Sequence, residues 1–378
     1  MGKIKKSILF CVYFVLVCSL IGCQTKNKIR DERIRGLVFT GPGNGPYKDD
    51  VISSISHING NYVALVPEAS VYRQNLKVVY DFNGQWYGET KTALYDGIIQ
   101  ARNNGLKIMI KPHLTVQWDM TGWDRPALNM DDSSSRVSYM QGARKYLATQ
   151  KSKIDGESSW RGDFMTKTNE DWNVFQKEYT TFILDYAQIA DSLKVEMFCV
   201  STELKRIALE KPDYFRRLIR DVKEIYSGHL TYAANWDSFN DIEFWDELDF
   251  IGIDAYFPLS ELKEPSLDEM KRSWIMISKD LSKVSYRFKK PIIFTEWGAE
   301  DEYYVGKEPW IMTKEVKQKN ESLQAKAYES MFTTIWNKSW MKGVFVWRWD
   351  HYTTPPEYPT YSPSAKEAEK VLKEWFSD

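Results

Sequence analysis

Eight short apolar, β-prone runs recur through this chain, and segments with apolar residues at helical spacing lie between them. The runs are residues 36–40, 62–66, 107–111, 195–200, 230–234, 250–254, 291–295 and 343–347. Short continuous apolar runs of this kind read as strands buried on both faces. The helix-like segments cover residues 49–57, 92–103, 172–193, 214–225, 267–288, 323–337 and 365–376. Asn104-Gly105 follows the second of these as a C-terminal cap should. Strand and helix alternate, which predicts a parallel α/β sheet. Eight repeats predict closure into a (β/α)₈ barrel, a TIM barrel. The fifth connection, 237–247, must then hold a short helix. No Gly/Ser-rich or Pro-rich linker interrupts residues 36–378, so they are read as one catalytic-size domain.

One connection breaks the pattern. Between His113 and Glu170 there is no clear strand or long helix signal, and the stretch contains Asp131-Asp-Ser-Ser-Ser135. Structureless connections of this length are uncommon in compact domains and are often functional. In a barrel this loop insertion leaves the C-terminal end of the third strand, so it is expected to form a lid or cleft wall.

The N-terminus is read separately from the fold. Lys3, Lys5 and Lys6 precede an apolar stretch over residues 8–21, which is short for a membrane span. Together they make a secretory signal over residues 1–22. Its end, Leu20-Ile-Gly-Cys23, resembles the lipobox of bacterial lipoproteins. That resemblance implies cleavage before Cys23, lipid on Cys23 and a membrane anchor. Gln24 in place of Asp favours the outer membrane, on its periplasmic or surface face. Residues 23–35 are polar and charged and read as a tether.

Of the four cysteines, Cys11 and Cys18 leave with the signal and Cys23 is the lipid site. Cys199 alone remains, as a small buried hydrophobe inside a strand. No disulfide framework is expected, and four scattered histidines offer no metal site. Removing the three signal lysines takes the charge from −1 to 48 − 52 = −4. A chain so balanced has no basic stripe for nucleic acid. The 15 Trp and 22 Tyr suit either a large core or a sugar-binding cleft, and composition does not choose between them.

Glu203 and Glu296 close the fourth and seventh apolar runs. A carboxylate at the end of a buried strand needs partners or a role, because burying an unpaired charge is costly. In a barrel the residues just past the strand C-termini surround one cleft. Here they read Lys111-Pro-His113, Ser201-Thr-Glu203, Asn235-Trp-Asp237, Asp254-Ala-Tyr256, Glu296-Trp-Gly298 and Trp347-Arg-Trp-Asp350. Glycosidic hydrolysis needs one carboxyl to protonate the leaving oxygen and a second to attack or to activate water. Separations of about 5–5.5 Å give retention and about 6.5–9.5 Å inversion. Each glutamate alone could as well be a structural partner for Arg or Lys; the pair in register points to catalysis.

These strand-end motifs together resemble the clan A (β/α)₈ glycoside hydrolases. More narrowly the chain is similar to glycoside hydrolase family 113, known for endo-β-1,4-mannanase activity. The resembling stretches are Lys111-Pro-His113, Trp160-Arg-Gly162, Phe198-Cys-Val-Ser-Thr-Glu-Leu204, Leu230-Thr-Tyr-Ala-Ala-Asn-Trp-Asp237, Phe250-Ile-Gly-Ile-Asp-Ala-Tyr-Phe257, Phe294-Thr-Glu-Trp-Gly298 and Phe345-Val-Trp347. The resemblance implies Glu203 as acid/base and Glu296 as nucleophile. Glu203 must then stay protonated near neutral pH, in apolar or negative surroundings, whereas Glu296 must be ionised and needs hydrogen-bond donors. Tyr256 is the expected donor, and Trp347 the expected floor of the reacting subsite. Asn235 and Trp236 either bind the sugar or serve as scaffold. His113, Lys111, Trp160 and Arg161 are expected on the strand-three side as substrate contacts, and Glu68 as a rim charge. Many clan A enzymes carry Asn before the acid/base; here it is Thr202, preceded by Ser201 where the family tends to have Gly.

The sequence therefore predicts a lipid-anchored, monomeric, retaining β-glycosidase acting on a β-linked glycan, with mannan foremost and no cofactor. The competing reading is a non-catalytic carbohydrate-binding lipoprotein on the same barrel. A metal-dependent barrel hydrolase is disfavoured because His57, His113, His229 and His351 stand apart in the chain.

Overall fold

The computed structural model describes residues 33–41, 45–46, 49–117, 160–311 and 318–377. The predicted signal, Cys23, the tether up to residue 32 and residues 118–159 of the insertion lie outside the described residues. Eight strands form the barrel wall. They are β1 (Ile34–Phe39), β2 (Tyr62–Leu65), β5 (Lys107–Ile110), β7 (Met197–Thr202), β8 (His229–Asn235), β9 (Ile251–Asp254), β10 (Ile292–Trp297) and β11 (Met341–Val346). They close in the order β1-β11-β10-β9-β8-β7-β5-β2. Each predicted run forms a strand of this wall, with ends displaced by a few residues. β1 begins inside the segment read as tether.

Burial explains why the runs are apolar at consecutive positions. All six residues of β7 and all six of β10 are buried, because one face lines the barrel interior and the other lies under helices. The helices supply matching stripes. In α5 (Pro212–Ile225) the buried residues are Tyr214, Phe215, Leu218, Ile219 and Val222, one face of a helix. Local signals fix where helices start. Thr90 caps α2 (Lys91–Asn103), Thr168 caps α3 (Asn169–Ser192), and Ser266 forms a capping box with Glu269 at α6 (Leu267–Phe288); each such cap contributes ~1 kcal/mol. Asn104 ends α2, and Gly105 follows with φ +70°, a left-handed turn that glycine adopts without penalty. The remaining α-helices among the described residues are α1 (Asp49–His57), α4 (Lys205–Glu210), α7 (Glu321–Met331) and α8 (Glu367–Trp375). The fifth connection holds two 3₁₀ turns, Phe239–Asp241 and Trp245–Glu247.

A second sheet corrects the reading of the segment after strand three. Residues His113–Gln117 form a strand, β6, which pairs in parallel with β3 (Glu68–Tyr72); β4 (Val78–Val79) adds antiparallel to β3. The cause is a pair of prolines. Pro67 and Pro112 sit at matching heights beyond β2 and β5, and a proline has no N–H for the ladder. The two strands break there and resume on the far side, held by His113 N–H donating to Pro67 O at 2.9 Å. Glu68, expected as a rim charge, starts β3 and accepts from Thr115 Oγ1 at 3.3 Å.

Candidate active site

The C-terminal ends of β5, β7, β8, β9, β10 and β11 bring the predicted polar residues to one face. Glu203 directly follows β7 with φ +54°, a region few non-glycine residues occupy. Its N–H donates to Ala233 O at 2.9 Å, so the turn is anchored to β8. Asn235 Nδ2, at the end of β8, donates to Glu203 Oε1 at 2.6 Å. Arg161 Nη1 lies 3.7 Å from Glu203 Oε2. Burial raises the proton affinity of Glu203; Arg161 opposes this, the negative charge of Glu296 adds to it, and the net shift is upward. Burial and negative charge therefore surround Glu203, and Arg161, which the sequence placed here as a substrate contact, lies against it instead.

Glu296, inside the last turn of β10, is set the other way. Lys111 Nζ donates to its Oε1, and Tyr256 OH donates to Oε2 at 2.9 Å. His113 Nε2 lies 3.4 Å from Oε1. Burial alone would raise the Glu296 carboxyl, but the Lys111 charge and the bonds from His113 and Lys111 outweigh it and hold it at about 2. Tyr256 takes the expected place. Lys111 does not: expected to touch substrate, it has no exposed surface and lies beneath Glu296.

Sequence reasoning missed Asp254. It is fully buried at the end of β9, with Oδ2 3.3 Å from Lys111 Nζ and Oδ1 accepting from Thr295 Oγ1 at 2.8 Å. Two carboxyls thus share one cation. Burial and the Glu296 charge raise Asp254 well above the ordinary carboxylate range, so of the two carboxyls Asp254 is the one that takes up a proton first. The signal for Asp254 was the one used for the glutamates, an acid closing an apolar run.

His113 links the two sides. Arg161 Nη1 lies 3.2 Å from His113 Nδ1. Lys111 Nζ lies 3.1 Å from Nε2; both cations can only donate and a neutral imidazole has one accepting nitrogen, so His113 accepts from one of them and its other ring nitrogen carries the hydrogen. Burial, with the Lys111 and Arg161 charges, lowers the imidazole to about 3, so it stays neutral. Its ring stacks nearly parallel to Trp347, 6.0 Å between centroids and 13° between planes. Trp347 is half-buried. Its carbonyl passes so close to Gly298 that a Cβ there would lie 2.0 Å from Trp347 O. The glycine of Glu296-Trp-Gly298 is what allows β10 and β11 to converge at this height.

The other predicted residues divide. Trp160 is exposed and lies across Gly162, where a Cβ would meet its ring at 2.2 Å; this packing sets the turn that carries Arg161. Trp236 follows Asn235, but one of its faces is covered by Trp310, with centroids 5.0 Å apart. Trp310, which the sequence reading did not single out, presents 41% of its surface. Thr202 Oγ1 donates to Pro112 O at 3.1 Å, so its hydroxyl is committed to backbone. Tyr179 OH likewise donates to Ser201 Oγ at 2.9 Å. Among the described residues, no group of three or more His, Cys, Asp or Glu is gathered to hold a metal ion.

Comparison with known proteins matches this architecture. No curated protein sequence matches the chain. The structure is similar to the GH113 β-mannanase AaManA from Alicyclobacillus acidocaldarius in complex with ManMIm, with TM-score 0.70 and 22% identity over 91% of this chain and 97% of that one. A GH113 β-1,4-mannanase complex gives TM-score 0.69 and 21% identity over 92% and 99%. A β-glucuronidase from Ruminococcus gnavus gives TM-score 0.53 and 13% identity over 90% of this chain and 49% of that one. At these identities the likeness speaks for the barrel. The family model Glycoside Hydrolase Family 113 matches residues 155–366, more than half of the sequence and the stretch that supplies Arg161, Glu203, Asn235, Tyr256 and Glu296. The chain is thus a glycoside hydrolase and belongs to Glycoside Hydrolase Family 113.

Proposed function

We propose that the protein hydrolyses β-1,4-mannan with retention of configuration, Glu296 acting as nucleophile and Glu203 as acid/base. The observation that carries this reading is the opposite setting of the two carboxyls on one barrel face. Glu296 is held ionised by Lys111, His113 and Tyr256, while Glu203 is pushed toward its protonated form. Pairs of titratable groups driven apart in this way mark acid and base roles.

In the first step Glu296 attacks the anomeric carbon, and the C–O bond to the leaving sugar breaks. Glu203 gives its proton to the departing oxygen. In the second step water attacks the same carbon, Glu203 takes the water proton, and the bond to Glu296 breaks. Two inversions restore the β configuration, and no cofactor enters either step. Trp347 stacks beneath the reacting sugar, and the leaving sugar lies on the Glu203 side, toward Asn235 and Trp310. Mannan is the favoured glycan because the similar structures named above are β-mannanases.

Proton NMR of manno-oligosaccharide hydrolysis tests the reading. The β-anomer is expected to form first and mutarotate later; first appearance of the α-anomer would make the enzyme inverting. Glu296→Gln is expected to retain binding and lose turnover by a thousandfold or so, at the level of a missing catalytic group. Wild-type binding of manno-oligosaccharides without turnover would favour the carbohydrate-capture reading instead. Anchoring through Cys23 is a separate proposal, read by mass spectrometry of the mature N-terminus with and without Cys23→Ala.

A further inference from the structure

Arg161 touches both halves of the site. One nitrogen of its guanidinium, Nη1, lies 3.2 Å from His113 Nδ1 and 3.7 Å from Glu203 Oε2. His113 in turn faces Glu296 Oε1 through Nε2 at 3.4 Å. A single side chain therefore links the two carboxyls, Glu203 directly and Glu296 through His113. Its position is fixed locally: the turn Arg161–Asp163 follows Trp160, whose indole packs over Gly162. The Arg161 side chain is four-fifths buried, with 20% of its surface exposed, so its charge is incompletely screened by water.

We propose that Arg161 is a positioning residue that ties Glu203 to His113 and governs when Glu203 holds its proton during the two steps. The proposal rests on the acid/base assignment above. In the free enzyme three influences favour the protonated form of Glu203: its burial, the charge of Glu296 and, more weakly, that of Asp237. The charges that face it are Arg161 on the turn before α3, Glu296 on β10, Lys111 after β5 and Asp237 after β8, the last already paired with Lys205 at 2.6 Å. Once Glu296 bonds to the anomeric carbon, its negative charge passes into an ester. The influence of Glu296 on Glu203 then disappears, whereas the guanidinium keeps its charge throughout. Glu203 has meanwhile given its proton to the leaving oxygen and is a carboxylate. Arg161 at its side stabilises that carboxylate until water arrives, and so favours the base form when a base is required.

This differs from the substrate contact that the sequence suggested for Arg161, and the difference is measurable. Carbon NMR of glutamate-labelled full-length protein reads the Glu203 carboxyl directly, assigned by the signal lost in Glu203→Gln, and needs no substrate. Arg161→Gln is expected to raise the Glu203 midpoint by about one pH unit or more, the usual effect of losing an opposite charge at this range. Arg161→Lys keeps the charge and is expected to return most of the shift. On an aryl β-mannoside the alkaline limb of kcat/KM should move up with the midpoint, and the glycosyl-enzyme should accumulate. Should Arg161→Gln fail to fold, Arg161→Met serves for the same titration. An unmoved midpoint in a folded variant overturns the proposal, and a raised KM with that midpoint unmoved returns Arg161 to substrate binding. If the wild type turns over no β-mannoside, the functional reading is what fails; the titration still decides the role of Arg161.

Discussion

Replacing Lys111 with methionine isolates the charge that keeps Glu296 ionised. Lys111 is fully buried and serves Glu296 and Asp254 together. Glu296 is held at about 2 against an ordinary 4.5, a drop that corresponds to ~3 kcal/mol at 1.36 kcal/mol per unit. Its folded value lies below its unfolded one. The stability is therefore fully present above pH 4.5 and is lost as the pH falls toward 2. His113 acts in the same direction at higher pH. Held at about 3 against 6.5, it binds its proton first in the unfolded chain, so acid weakens the fold from pH 6.5 downward. Removing one partner of a buried pair costs about 3–5 kcal/mol, a figure of the same size. Lys111→Met is thus expected to lose ~3 kcal/mol in urea unfolding at pH 7. Its stability should also fall less steeply than the wild type's between pH 5 and 3, because Glu296 then titrates closer to its unfolded value. Asp254→Asn, which replaces the carboxyl that takes up a proton more readily than Glu296 with a neutral amide, should cost only ~1 kcal/mol, the scale of one hydrogen bond. Equal losses in the two variants, or an acid slope in Lys111→Met as steep as in the wild type, would refute this account.

Three further outcomes follow from named contacts. Tyr256→Phe removes the 2.9 Å donor to Glu296 Oε2; kcat should drop roughly 10- to 100-fold with KM little changed, the loss of one hydrogen bond to a charged group. Trp310→Ala uncovers Trp236; steady-state kinetics should show KM rising for longer manno-oligosaccharides and nearly constant for an aryl mannoside. Gly298→Ala would put a Cβ 2.0 Å from Trp347 O; thermal unfolding should show a loss of about 1–3 kcal/mol, as for other overpacked sites, together with reduced activity because Trp347 must move.

The barrel was legible because its demands are local and repeated. A strand buried on both faces must be apolar throughout, as β7 and β10 are, and a covering helix must present a stripe, as α5 does. The second sheet was not legible. β6 has five residues, and its partner β3 lies on the far side of α2 in the chain; no local pattern states that pairing. The site shows the same division. Glu203 and Glu296 could be placed on one face from the sequence because strand ends in a barrel share it, and Tyr256 was added by the resemblance. Lys111 was misread because nothing local distinguishes a lysine that reaches water from one that ends beneath a carboxylate.

The sequence by itself determined the strand–helix alternation, the helix stop at Asn104-Gly105, and which strands end in acids. Those follow from hydrophobic period and backbone chemistry within a few residues. Only the tertiary structure decided the charge states. Lys111, Asp254 and Glu296 come from three strands, and Arg161, His113 and Glu203 from three more segments. Which carboxyl keeps a proton depends on burial and on distances of a few ångströms between them, because Coulomb energy in a poorly screened interior changes by kilocalories over that range. Such distances exist only once the barrel has closed.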